Sequence, residues 1–354
     1  MMSSANGDAL PETMRGVWLI GHGDVDQLAF RDDIPRPVPG VGDVLIRVSA
    51  AAVNNTDINT RLAWYSKRDA EADDASWSGT PFVFPRIQGA DVCGHIVAVG
   101  DGVDGERVGE RVLVEPCLQE ANGGALPRPW YLGSECDGGF AEYVVVAARH
   151  VYRVESPLSD VELASFPCAY STAENLLTKT HVVGGETIVV TGASGGVGAA
   201  AVQVGKARGT RVIAITSGDK AELVHSLGAD QVVDRETRLI DALEEKSIDV
   251  VIDLVAGPQW PDLLAVLRNG GRYGVAGAIG GHDVPLDVRT LYLKDLSLIG
   301  GTVLEPGVFQ ALIARIEGGE IAPVVASTYP LEDIASAQNA FQEKRHVGKI
   351  VLRI

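Results

Sequence analysis

Apolar and polar positions follow two different rhythms along the chain, and the change comes near residue 158. Before it, apolar residues fall in short alternating or β-branched runs: "DVLIRVSAAAV" (43–53), "VCGHIVAVG" (92–100), "ERVLVEP" (110–116) and "GFAEYVVVAARHVYRV" (139–154). Gly, Pro and Asp turn signals separate these runs, which predicts a strand-rich unit with tight turns. Residues 66–86, "SKRDAEADDASWSGTPFVFPR", break the pattern and predict a polar surface excursion. "LSDVELASFPCAYSTAENLLTKT" then predicts helices with Asp and Ser/Thr caps. After it, strand patterns at 187–192, 211–216, 231–234, 249–255, 272–277 and 296–301 alternate with helical ones at 197–209, 219–228 and 260–271. Short apolar strands between helices predict a parallel sheet covered on both faces. "VFQALIARIEGGEI" and "PLEDIASAQNAFQEKRHVGKIVLRI" add two helices and a closing strand.

A length of 354 residues favours two cores over one. The net charge of −17 is spread along the chain without an acidic tail, so it reads as a solvated surface that repels nucleic acid and anionic membranes. Cys93, Cys117, Cys136 and Cys168 form no CxxC pair, so neither a zinc knuckle nor a disulfide framework is indicated. The start, "MMSSANGDALPETMRG", lacks the basic and apolar regions of a signal peptide, and no apolar run is long enough to span a bilayer. The expectation is a reduced, cytoplasmic protein with a small-molecule substrate.

The strongest chemical signal is "TIVVTGASGGVGAAAVQ". An apolar strand runs into Ala193-Ser194-Gly195-Gly196-Val197-Gly198 and then an Ala-rich helix, the dinucleotide fingerprint with Ala193 in place of its first glycine. Gly195 lets the backbone approach a pyrophosphate, Gly198 lets helix and strand pack closely, and the helix N-terminus offers N–H groups to the anion. An NAD site places an acid near the end of the following strand. Here "AITSGDK" places Thr216 and Ser217 there, with Lys220 close behind; a hydroxyl and an ammonium suit a 2′-phosphate and favour NADPH over NADH. Asp219 nearby is expected to cap the next helix.

"GADVCGHIV" sets Asp91, Cys93 and His95 at alternate positions of a predicted strand, where side chains share a face. All three residue types bind metals elsewhere. Together with "NNTDI", "GGFAEY", "CAYSTAENL", "VIDLVAG", "GGRYGVAG" and "GKIVL", this stretch resembles the medium-chain dehydrogenase/reductase superfamily over nearly the whole length. Within it the chain is most similar to the zinc-independent quinone oxidoreductase branch. The resemblance implies an α/β fold: a GroES-like β-rich catalytic domain over 1–169, completed by 303–354, and a Rossmann doubly wound parallel-sheet domain over 170–302.

In the zinc-dependent members three catalytic ligands correspond to Asn54, Ala90 and Cys168, and only the last is retained. The lobe that holds a structural zinc corresponds to a region with only Cys117 and Cys136. The resemblance therefore implies no metal, and half-buried strand side chains at Cys93 and His95. It places Asn54, Thr56, Asn59 and Tyr65 in the acceptor site, with Tyr65 polarising the carbonyl and Asn59 standing where the family has a second tyrosine. Thr172 would face the nicotinamide, backbone at Ala276, Gly277 and Ala278 its carboxamide, and Lys349 the pyrophosphate. Asp57 is expected to tie the loop to neighbouring backbone. The function implied is NADPH-dependent reduction of quinones or α,β-unsaturated carbonyls by a homodimer. An alcohol or aldehyde dehydrogenase of the same superfamily and a non-catalytic NADPH-binding regulatory or recruitment protein are the alternatives.

Overall fold

The computed structural model describes residues 10–67 and 75–354; residues 1–9 and 68–74, the latter within the acidic excursion, lie outside the described part. The second rhythm of the sequence becomes a six-stranded parallel sheet of β1 (Thr187–Val190), β2 (Arg211–Thr216), β3 (Gln231–Asp234), β4 (Ile248–Asp253), β5 (Leu267–Val275) and β6 (Ser297–Gly300). Their order is β3-β2-β1-β4-β5-β6, the doubly wound Rossmann arrangement. Its central strands are apolar throughout because both faces are covered: Ile188, Val189, Val190, Val250, Val251 and Ile252 are completely buried. The helix Gly196–Ala207 follows β1, and Gln203 on it donates to the Tyr170 hydroxyl of the helix Pro167–Lys179 at 2.8 Å.

The first rhythm becomes a mostly antiparallel, GroES-like unit. Its main sheet runs Val151–Arg153, Arg111–Val114, Cys93–Val99, Asp43–Ala52, Lys349–Arg353, Val325–Pro330, with Tyr143–Ala147 also paired to Asp43–Ala52. The chain therefore leaves this unit to build the parallel sheet and returns to insert Lys349–Arg353 into its interior. A bridge between Gly195 and Gly348 joins that returning segment to the glycine loop.

Three elements differ from expectation. The helix expected over 260–271 ends at Val266, and the chain continues as β5. Gly270 takes φ +71° and Arg268 is tied to Asp249 of β4 at 2.6 Å, so an extended path satisfies this stretch better than a helix. The run 139–154 is interrupted by a 3₁₀ turn at Ala148–His150, where the buried His150 ring turns inward toward Glu115. The region 117–131, which carries no clear pattern, is a hairpin of Cys117–Ala121 and Gly124–Tyr131. Its turn is Asn122-Gly123 with φ +53° and +75°, a short-range signal present in the sequence. Among the described residues no helix is long and apolar enough to cross a membrane.

Candidate active site

The glycine loop is tight for a reason that can be read atom by atom. A Cβ on Gly198 would run into the Gly192 carbonyl and Ala193 Cα, and one on Gly196 would meet Lys349 Cδ at 2.8 Å. The loop bonds to itself through Gly195 N to Gly192 O at 2.9 Å, and to the returning strand through Gly348 N to Ser194 O at 3.0 Å. Ala193 is buried, with its N–H on Ile215 O, while Gly195 is exposed. The helix starts at Gly196, so the first-turn N–H groups of Gly196, Val197 and Gly198 have no intrahelical acceptor. This cradle fits a pyrophosphate.

Two further features fit a dinucleotide. The Thr216 hydroxyl, at the end of β2, is buried without a partner, the kind of orphan a ribose hydroxyl would satisfy. Beyond β2, Lys220 Nζ donates to Lys344 O at 2.5 Å, so the segment 344–349 stands against it. Lys344 is brought down to about 8 by burial and by the ammonium groups of Lys349 and Lys220. Burial and the charges of Lys344, Lys220 and Lys349 lower His346 to about 4. Positive potential thus gathers beside Ser217. The basic run "EKRHVGK" in an otherwise acidic chain was the available signal for Lys344 and His346. Asp219 sits inside a 3₁₀ turn, Gly218–Lys220, not at a cap; the Ser217 side chain lowers its pKa.

The expected carboxamide loop also has an anchor that pattern reading missed. Asp253 is completely buried and accepts from the Thr191 hydroxyl at 2.5 Å, from Val255 and Ala256 N at 2.9 and 3.0 Å, and from the Tyr273 hydroxyl. Ala276 N bonds Asp253 O at 3.1 Å, and Gly277 packs against Leu254 O so closely that no Cβ fits, so the 276–278 backbone is fixed on this carboxylate's turn. Thr172 lies one turn beyond Cys168 on their shared helix, with its hydroxyl on Cys168 O at 2.7 Å.

Asp91 is the hub of the other half. It is completely buried and accepts from Cys168 N at 2.5 Å, Asn54 Nδ2 at 2.8 Å and Lys349 Nζ at 2.9 Å. Two expectations change here. Lys349 does not reach out to the pyrophosphate: the residue is 2% exposed, its stem passes under Gly196, and its ammonium bonds Asp91 and Asn54 Oδ1, because an unpaired buried carboxylate would be costly. Asn54 is not a free donor either, since its two amide protons go to Ala52 O at 3.1 Å and Asp91.

Asp57 does tie the loop, accepting Asn54 N at 2.7 Å and Gly89 N at 3.2 Å; burial raises its carboxyl to about 7, against those bonds and Lys349. The face shared by Asp91, Cys93 and His95 does not form a cluster. Asp91 precedes the strand Cys93–Val99 and is engaged as above, Cys93 is buried in the core, and His95 is half-buried.

These donors do not fit the zinc of metal-dependent relatives. Asn54 Oδ1 already accepts from an ammonium, and Ala90 offers a methyl group. The Cys168 thiol is pushed up to about 12 by burial and by Asp91, with Lys349 and Tyr131 opposing.

Around Cys168 the remaining polar groups gather. Burial raises the Tyr65 phenol, with the Thr56 and Asn59 side chains acting the other way and Cys168 adding to the rise. The Thr56 hydroxyl is buried and faces the Tyr65 phenol. The Tyr131 hydroxyl lies 3.1 Å from Cys168 Sγ, and the Trp77 ring stacks on Tyr131 at 4.9 Å. Sequence reasoning missed both aromatic residues, for they come from the hairpin and the excursion.

The comparisons with known proteins agree on the architecture. Residues 40–156 match the alcohol dehydrogenase GroES-like domain, and residues 196–318 match the zinc-binding dehydrogenase domain. Human quinone oxidoreductase is 32% identical, covering 96% of this chain and 97% of that protein. Acryloyl-coenzyme A reductase of Metallosphaera sedula is 30% identical, over 90% and 95%. A crystal structure from Sinorhizobium meliloti 1021, provisionally named an alcohol dehydrogenase, superposes with a TM-score of 0.89 at 42% identity, over 98% of each chain.

Proposed function

The chain belongs to the medium-chain dehydrogenase/reductase superfamily, in its quinone oxidoreductase-like branch, and from that premise we propose that it is a zinc-independent, NADPH-dependent reductase of quinones or α,β-unsaturated carbonyl compounds. The observation that carries this reading is the occupied ligand set: Asp91, Asn54 and Lys349 saturate one another where a metal would need lone pairs. Without a Lewis acid, a localised alkoxide has little to hold it, whereas a delocalised enolate or hydroquinone anion needs only hydrogen-bond donors.

Ser194, Gly195, Gly196, Val197 and Gly198 would hold the pyrophosphate, Ser217 with Lys220 the 2′-phosphate, and Thr172 with the 276–278 backbone the nicotinamide. When bound, the cofactor supplies a hydride to the conjugated acceptor. The chain's own task is to hold the negative charge that then develops on the acceptor oxygen, and the Tyr65 phenol, kept protonated by burial, is a donor suited to it. Asn54 acts by positioning, through Asp91 and Lys349.

The Rossmann edge supports a homodimer. Among the described residues β6 pairs with β5 alone, and Leu286, Val288, Tyr292, Leu293 and Leu298 are exposed around it.

NADPH oxidation followed in parallel against a quinone, an enone, an enoyl thioester and an aldehyde, with elemental analysis of the same sample, tests the proposal. It expects turnover of conjugated acceptors without stoichiometric metal. About one zinc per chain, lost together with activity on chelation, would refute it. The buried Thr56 hydroxyl beside the Tyr65 phenol favours a second reading, alcohol dehydrogenation, in which that hydroxyl would take the substrate proton. Thr56→Ala abolishing activity while Tyr65→Phe has no effect would put that reading first. Tight NADPH binding with no turnover on the whole panel would point to a binding protein.

A further inference from the structure

In the proposed acceptor site Tyr65 brings one phenol, with the Asn59 side chain against it. Asn54 adds no donor, since both of its amide protons are engaged. A second phenol enters from elsewhere. Tyr131 closes the strand Gly124–Tyr131, is 7% exposed, and brings its hydroxyl to 3.1 Å from Cys168 Sγ, on the helix that also carries Thr172.

This placement is fixed on both sides. Glu135 accepts from Tyr131 N at 2.7 Å and, with its other oxygen, from Ser78 N at 2.8 Å. Ser134 Oγ accepts from Trp77 N at 2.9 Å. Two neighbouring side chains therefore clamp the phenol and the indole together, and the rings stack with 30° between their planes.

The pair with Cys168 leaves a donor over. A thiol and a phenol bring two protons, and only one of them can lie along the sulfur–oxygen line. When the thiol donates, the phenol proton is free for a third atom.

We infer that Tyr131 is a catalytic residue, the second hydroxyl that hydrogen-bonds the acceptor oxygen, and that Trp77 stacked on it gives the site its preference for flat, conjugated acceptors. The inference rests on the reductase reading above and extends it to a residue and a substrate shape. Tyr131 makes a hydrogen bond to the developing oxyanion and transfers no proton. Its deletion therefore lowers kcat and leaves NADPH binding unchanged.

The test uses the full-length protein and the variants Tyr131→Phe, Tyr65→Phe, their double, and Trp77→Leu, with 1,4-naphthoquinone and pent-3-en-2-one as acceptors. Tyr131→Phe should reduce kcat on the enone by roughly 10- to 100-fold, within the range known for the loss of one oxyanion donor, at unchanged NADPH Kd. The double variant should lose more than either single one. Trp77→Leu should raise KM for the naphthoquinone about tenfold more than for the acyclic enone. A Tyr131→Phe variant with wild-type kcat and Tm, or a Trp77→Leu variant that raises both KM values equally, would overturn the inference.

A second measurement needs no turnover. Naphthoquinone without NADPH should quench tryptophan fluorescence saturably in Trp64→Phe, which lacks the indole packed on Tyr65, and the saturable part should vanish when Trp77→Phe is added. Saturable quenching that survives in this double variant would also overturn the inference. If the wild type reduces nothing yet Trp77 is quenched saturably, the reductase reading fails while the flat-acceptor site stands.

Discussion

The glycine loop and the acceptor site lie on opposite sides of Lys349 and are built on different plans. The loop is largely local: β1, the turn 192–198 and the helix Gly196–Ala207 contain its geometry within some twenty residues, and Gly195 and Gly198 answer to Gly192 and Ala193 in the same stretch, with Gly196 alone of the three set by Lys349. The proposed acceptor site draws on Asn54 to Tyr65, Trp77, Asp91, Tyr131, Cys168 and Lys349, which only the tertiary fold brings together. Damage to the first should act through backbone shape, and damage to the second through single hydrogen bonds and charges. That contrast can be broken by experiment.

The largest effect is expected at Gly198. Gly198→Val forces a branched side chain against the Gly192 carbonyl, at a cost of about 3 kcal/mol or more. If that falls on the bound conformation, NADPH affinity drops roughly 100-fold or more, alongside a lower Tm. A variant with normal NADPH affinity by titration would show that the loop is less rigid than its contacts require.

A smaller effect is expected at Lys220. Lys220→Ala removes a charge-assisted contact of about 1.5–3 kcal/mol and should weaken NADPH about tenfold or more while NADH is nearly unchanged. Equal losses for both cofactors would remove the assignment of the 2′-phosphate. The neighbouring Lys344 should contribute in the same direction, since its charge belongs to the same cluster.

The smallest effect on cofactor affinity is expected at Asp57, which instead gives stability a pH dependence. Its folded carboxyl titrates near 7, above the unfolded value of about 3.8, so the fold favours the protonated form. As pH rises from about 4 to beyond 7 the unfolded chain ionises first, and Asp57 becomes progressively less stabilising. The stability advantage of wild type over Asp57→Asn should therefore shrink between pH 5 and pH 8 in urea unfolding. An advantage that grows with pH would mean that the bonds from Asn54 and Gly89, with Lys349, outweigh burial.

The same contrast explains what was legible. The Rossmann strands, the glycine loop and the returning strand announce themselves through period and composition, because each is a local solution to burial. The part of Asp57 follows from its own motif, since a loop carboxylate meets nearby N–H groups. The motifs of Asn54 and Lys349 suggest roles facing the ligand, but their atoms turn to Asp91, a carboxylate that neither motif contains. Tyr131 and Trp77 stayed hidden because their meaning depends on Glu135 and Ser134 clamping two segments that have no shared pattern. The Asn122-Gly123 turn did mark the hairpin that carries Tyr131.

The strand Lys349–Arg353 lies between Asp43–Ala52 and Val325–Pro330, in the interior of its sheet. On the ribosome this makes folding strongly ordered. The parallel sheet has all its strands once residue 300 has emerged, and the nascent chain can then carry a nearly finished nucleotide fold. In the N-terminal half Asp43–Arg47 can already pair with Tyr143–Ala147, but Ala50–Ala52 of the same strand stay open until residues 351–353 are added. That short waiting edge is where a stalled chain would pair with chaperones or with its own kind.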